Sequence, residues 1–237
     1  MQESSTLEHK YHYDHNLERK KKYWAAFLLA SSLLLFLFTL MGFTNDISEQ
    51  INDFLINSLG YVNKWSTHFG PDWFLHINNN FSALGSAPVI LCFLIIAAGY
   101  YKIKKQSKRL NKFLSVIIGG GIIMQILKII FADELPYEPI KIFITNISAY
   151  PSGHTMMATI FYLTLAVFIT RWQNKKKVRR FTLITTSSLI FLIAASRILS
   201  GAHTFTEVLA GWSAGIAWLS GCWMLERYIK QKASSAV

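Results

Sequence analysis

Seven residues of types that hold phosphate or move protons fall in three short, widely separated segments of this chain: Lys128; Ser152, Gly153 and His154; and Arg197, His203 and Glu207. A Ser-Gly-His sequence at a helix start offers backbone N–H groups, a hydroxyl and the positive end of the helix dipole, which together suit an oxyanion or phosphate. Gly153 lets a ligand approach the backbone closely. Arg197 can grip a phosphate through paired hydrogen bonds, and Lys128 adds a point charge. His203 and Glu207 are four residues apart, so a helix starting there puts them on one face. A carboxylate beside an imidazole fixes its tautomer and stabilises its cation, which makes the other ring nitrogen a better nucleophile.

Each residue also has a plainer reading. Pro151-Ser152-Gly153 is a common turn, and Thr204 with Glu207 fits a capping box that would merely close a helix end. Lys128 and Arg197 could be snorkelling charges at a membrane surface. Singly these readings compete well, whereas jointly, on one face, they require several coincidences.

The elements that must position these groups are apolar. Of the 237 residues, 52% are hydrophobic and only 16% charged, well below the charged share of a soluble domain. Six uncharged or nearly uncharged runs cover residues 23–43, 82–101, 113–131, 155–170, 181–196 and 208–225, and a bilayer core about 30 Å thick needs runs of this kind. Runs four and five are short and lengthen by borrowing flanking residues. A cleavable signal peptide is disfavoured for the first run by its long polar lead and long apolar stretch. The formal charge of +11 does not point to nucleic acid, because it is concentrated in loops. Five basic residues precede run one, six lie between runs two and three, six between four and five, and three follow run six, which is 20 of the 24. Such loops stay cytoplasmic. The expectation is an all-α integral membrane bundle of six transmembrane helices with both termini cytoplasmic. Lys64, Lys128, Lys141 and Arg197 are the cations left at or near the opposite face.

Residues 44–81 form the longest connection. Ile47, Ile51, Phe54, Leu55 and Leu59 recur at helical spacing and predict an amphipathic helix, on the outer leaflet or against the bundle. Trp65, Trp73 and Phe74 are expected as interfacial anchors. Asn78, Asn79 and Asn80, with Gly85, are expected to mark the turn into span two. Cys92 and Cys222 fall within spans and read as small packing residues.

With this topology Lys128 ends span three, Pro151–His154 opens span four, Ser196-Arg197 closes span five, and His203 and Glu207 begin span six, all at one membrane face. Ionisable groups at such depth are costly and usually functional. The three segments resemble the signature motifs of the type-2 phosphatidic-acid phosphatase family, also called lipid phosphate phosphatases. That pattern is Lys, six residues, Arg-Pro; then Pro-Ser-Gly-His; then Ser-Arg, five residues, His, three residues, Asp. Here Lys128 and Pro136 keep the first spacing, Pro151 to His154 reproduce the second, and Ser196, Arg197, His203 and Glu207 the third. The similarity covers roughly residues 23–226, leaving a basic tail at 1–22 and a second tail at 227–237.

The resemblance implies a hydrolase of a lipid phosphomonoester or pyrophosphate, active on the extracytoplasmic face of a bacterial inner membrane. It also implies that His203 forms a phosphohistidine, that His154 serves as acid and then base, and that Glu207 orients His203. Lys128, Ser152, Gly153 and Arg197 would hold the phosphoryl oxygens, without a metal or other cofactor. The partners implied are the bilayer and a phosphorylated lipid of the undecaprenyl pyrophosphate, phosphatidylglycerophosphate, phosphatidic acid or lipid A type. No nucleic acid and no obligate protein partner is expected.

Two positions depart from the pattern. Glu207 replaces Asp and keeps the charge. Leu135 stands where the family has a phosphate-binding Arg, beside Asp133 and Glu134. Losing one charge-assisted contact costs about 2–3 kcal/mol, or roughly two orders of magnitude in rate. Three readings stay open: Lys141 substitutes as a compensating cation, the acidic pair matches an amino-bearing headgroup, or the protein is an impaired lipid binder. A phosphotransferase using the same histidine is a further alternative.

Overall fold

A computed structural model describes residues 2–59, 71–131, 150–170, 173 and 175–235, with side chains from residue 19 to residue 233. Lys64, Trp65, Asp133, Glu134, Leu135, Pro136 and Lys141 lie outside the described residues. Among those described, the chain forms eight helices and no strand: α1 (Gln2–Leu40), α2 (Asn45–Leu59), α3 (Asp72–Ala83), α4 (Ala87–Ile103), α5 (Ser107–Ile130), α6 (Gly153–Thr170), α7 (Lys176–Leu199) and α8 (Phe205–Ser235). Six stretches are long and apolar enough to cross a membrane: 19–40 within α1, 72–103 across α3 and α4, and spans within α5, α6, α7 and α8. The six expected spans are therefore present, and the protein is a multi-pass membrane protein. The two short runs reach spanning length as expected, α6 by taking in Gly153 and His154, and α7 by starting within the basic loop at Lys176.

The central element is α6. More than half of its spanning window is buried, 56% against 11–39% in the other five spans, and α5, α7 and α8 surround it. Phe113 and Ile117 of α5, Met156, Ile160 and Phe161 of α6, and Ile193 of α7 form a closed core. Threonines tolerate this setting because Thr159, Thr164 and Thr170 donate to carbonyls four residues back. Glycines on α8 allow the closest approach: a Cβ on Gly211 would lie 2.6 Å from the Ser152 carbonyl oxygen, and one on Gly215 3.0 Å from Thr159. Small residues four apart are a usual device for drawing membrane helices together. About one turn further along α8, Trp218 lies against Gly119 and Gly120 of α5, and its indole N–H donates to the Val116 carbonyl at 2.9 Å.

Outside this core, α1 packs chiefly on α8, α3 on α7 and α4 on α5. Leu34 and Leu37 of α1, Ile95 and Ile96 of α4, and Ile118 and Ile122 of α5 face outward, as side chains in contact with lipid do.

The amphipathic helix expected from Ile47 to Leu59 is α2, but only Leu55 is buried and Ile47 and Phe54 remain exposed. Trp73 is likewise exposed and meets Phe74 edge to face. Two expectations need correction. Asn78, Asn79 and Asn80 are not a turn but the middle of α3, and the turn comes at residues 84–86, with Gly85. Their weak helix propensity is overridden because one face of α3 buries Asn78 and Ser82 in the fold while Asn79 and Asn80 stay exposed. Cys92 points outward rather than packing, whereas Cys222 is half-buried, and both are free thiols.

Candidate active site

Four helix ends meet at one end of the bundle. The final turns of α5 and α7 supply Lys128 and Arg197, at helix C-termini where the dipole favours cations. The first turns of α6 and α8 supply Gly153, His154 and Glu207, at N-termini that favour anions. A cavity of about 910 Å3 is lined by Lys128, Gly153, His154, Arg197 and His203. Arg197, His203 and Lys128 lie within electrostatic reach of His154, and Glu207 and Arg197 within reach of Lys128. Five of the seven residues singled out in the sequence thus share one cavity, and Ser152 and Glu207 stand behind it.

Between α7 and α8 the chain makes a tight turn. Gly201 takes a left-handed conformation (φ +69°), which glycine adopts without strain. Gly201 N–H donates to Ile198, and Ala202 N–H to Arg197, closing the α7 terminus in a Schellman arrangement. His203 N–H also donates to the Arg197 carbonyl, at 3.1 Å. The backbone of the cation is thereby bonded to the backbone of the histidine.

Glu207 resolves the choice between cap and partner by being both. Its Oε2 accepts the Thr204 backbone N–H at 3.2 Å, and the Thr204 hydroxyl accepts the Glu207 N–H at 3.3 Å, which is a capping box. The same Oε2 lies 2.7 Å from His203 Nδ1. With a carboxylate as partner Nδ1 carries the proton, so Nε2 is left with an available lone pair.

Ser152 is fully buried. Its hydroxyl pairs with that of Thr155 at 3.1 Å, and its backbone N–H donates to the Glu207 carbonyl at 3.0 Å. It thereby fastens the start of α6 to the start of α8. The N–H groups of Gly153, His154 and Thr155 belong to the first turn of α6, whose donors have no intrahelical acceptor. A Cβ on Gly153 would come within 3.1 Å of Met124 Sδ and 3.2 Å of Lys128 Cε.

Several supports had no signal in the sequence. Arg197 Nη1 donates to the Ser82 hydroxyl of α3 at 2.7 Å, while Arg197 Nε is buried with no partner among the described residues. Gly85 brings the α3–α4 turn against Ile193 and the His154 carbonyl, where a Cβ would stand 2.8 and 3.2 Å away. Tyr150, just before Pro151, shares a hydrogen bond of 3.0 Å with Thr39 of α1 and packs on Phe36 and Phe131. Burial pushes its phenol up, against the opposing effect of Thr39. Gly201 alone could have been read in advance, since glycine past a helix end is a stop signal.

Two histidines, two cations and an open helix N-terminus around one cavity are groups of the kind that can hold a phosphate. The chain belongs to the PAP2 superfamily, which residues 109–231 match, more than half its length. It is 36% identical to two PA-phosphatase related-family proteins of Dictyostelium discoideum, over 86 and 90 residues. Those matches take in 33% and 35% of this chain and 25% of each relative, so the chain spans a quarter of the length of these curated relatives. A crystal structure described as the first transmembrane PAP2-type phosphatidylglycerolphosphate phosphatase from Bacillus subtilis shares the fold. Its TM-score is 0.64 at 20% identity, covering 85% of this chain and 96% of that one.

Proposed function

We propose that the protein is a membrane lipid phosphatase that removes a phosphomonoester or pyrophosphate phosphate through a phosphohistidine on His203. The observation that carries this reading is the 2.7 Å contact of His203 Nδ1 with Glu207, on a histidine that lines the same cavity as His154, Arg197 and Lys128. Nε2 of His203 attacks phosphorus, the bond from phosphorus to the lipid oxygen breaks, and His154 gives the leaving oxygen a proton. Water then attacks the phosphohistidine, His154 takes a proton from it, the P–N bond breaks and phosphate leaves. Lys128, Arg197 and the Gly153 amide stabilise the charge on the phosphoryl oxygens, and positioning and charge supply most of such catalysis. Ser152 contributes through its hydroxyl or by holding the α6 terminus in place.

A lipid substrate is favoured by the shape of the cavity. From the polar end it continues between α4 and α5 along Ile90, Leu94, Ile117 and Ile122, to outward-facing Leu91 and Ile118. An acyl or isoprenoid chain matches that lining, and a soluble phosphate ester does not need it. The basic loops at the opposite end favour cytoplasmic termini and a site on the extracytoplasmic face of the inner membrane.

The test is phosphate release by the full chain in detergent, with and without chelator. The panel is phosphatidic acid, phosphatidylglycerophosphate, undecaprenyl pyrophosphate and phosphorylated lipid A, beside His203→Ala and Leu135→Arg. Release from one of these lipids that His203→Ala abolishes is the expected result, and persistence with chelator gives the metal-independent form. Release that survives His203→Ala refutes the nucleophile. No release from any lipid, even with Leu135→Arg, refutes the phosphatase.

A further inference from the structure

At the end of the bundle opposite the histidines, a second cavity of about 780 Å3 opens between the first and last spans. Thr44, just past α1, bonds Thr206 near the start of α8, so the two helices run antiparallel and the beginning of α1 lies beside the end of α8. The lining of this cavity is basic and polar at the helix ends and apolar further along the two helices. Arg19 and Lys22 from α1, and Arg227 and Lys230 from α8, are cations of the lining, and no carboxylate is among the described residues that form it. Glu226 lies nearby but is engaged by both Lys112 and Lys230. The guanidinium of Arg227 stands 5.0 Å over the Trp223 ring.

Further along the two helices, away from these cations, the lining is Leu29, Gly221, Met224 and outward-facing Leu225. Leu29 is ten residues from Arg19, and Gly221 ten from Gln231, so the groove runs about 15 Å along both helices. A Cβ on Gly221 would meet nothing within 4 Å among the described residues, so glycine here leaves space that none of them fills.

We propose that this groove binds one anionic phospholipid, its phosphodiester headgroup among Arg19, Lys22 and Arg227 and one acyl chain along Leu29, Gly221 and Leu225. Charge complementarity selects an anion, and the apolar depth between two spanning helices selects a lipid rather than a free ion. The adjoining Trp223 and Tyr228 suit the interfacial level. The site is distinct from the histidine cavity and does not depend on the reaction proposed there.

Native mass spectrometry of the full chain in detergent, titrated with phosphatidylglycerol or with phosphatidylcholine of the same chains, tests this. The wild type should retain one phosphatidylglycerol in preference to phosphatidylcholine. Arg19→Gln with Lys22→Gln should weaken retention about thirtyfold, at roughly fivefold per cation at a membrane surface. Gly221→Leu should abolish it by filling the groove while the charges stay. Lys104→Gln with Lys105→Gln, two cations of the α4–α5 loop at the same end, should leave it unchanged. The charge pair is exposed, so its result stands even if Gly221→Leu folds poorly. Equal loss with the loop pair would mean a diffuse basic surface and overturn the site. Equal retention of phosphatidylcholine would also overturn it, as would a wild-type dimer that Gly221→Leu makes monomeric.

Discussion

Replacing Glu207 by Gln and by Ala separates the two roles that one carboxylate oxygen fills. Oε2 accepts from Thr204 N–H at 3.2 Å and from His203 Nδ1 at 2.7 Å. A glutamine carbonyl has two lone pairs and serves a capping box as glutamate does, so Glu207→Gln keeps both contacts and loses only the negative charge. A hydrogen bond to a charged group contributes about 1.5–3 kcal/mol, so kcat should fall about ten- to a hundredfold, with the thermal midpoint nearly unchanged. Glu207→Ala loses the cap as well, worth about 0.5–2 kcal/mol, and should lower the midpoint while reducing kcat at least as far as the glutamine variant. Phosphate release measured beside a thermal melt in the same detergent reads both. Full activity in Glu207→Gln would show that the carboxylate charge does nothing for His203. Activity in both variants that tracks only the folded fraction would reduce Glu207 to a helix cap.

Two other outcomes are expected. Ser82→Ala leaves Arg197 without its 2.7 Å partner and should lower kcat/KM about tenfold, chiefly through KM, with Ser82→Thr restoring it; an unchanged KM would remove Ser82 from the positioning of Arg197. Gly211→Ala places a methyl 2.6 Å from the Ser152 carbonyl oxygen and should destabilise the fold by about 1–3 kcal/mol, seen as a lower thermal midpoint together with reduced phosphate release.

The six spans were legible because membrane crossing demands long uncharged runs, and each run lies largely within a helix of the structure. The cavity residues were legible because polar groups at the ends of such runs need a reason to be there. What could not be read was the support behind them. Ser82 looks like any serine until α3 lies on α7, and the helix through Asn78–Asn80 depends on a buried face that local propensity does not announce. The choice between cap and imidazole partner for Glu207 was likewise undecidable from spacing, because residues three and four back are both within reach of one side chain on the first helical turn.

The pairing of α1 with α8 has a consequence for how the protein is made. Residue 40 ends α1 and residue 205 begins α8, so about 165 residues must leave the ribosome before the first helix meets its main neighbour. At bacterial to eukaryotic elongation rates that interval is on the order of 10–30 s. Throughout it α1, apolar enough to remain in the bilayer by itself, has lipid where α8 will later stand. Assembly is therefore completed from the last helix backwards, and a chain halted before α8 would be inserted yet open along one side.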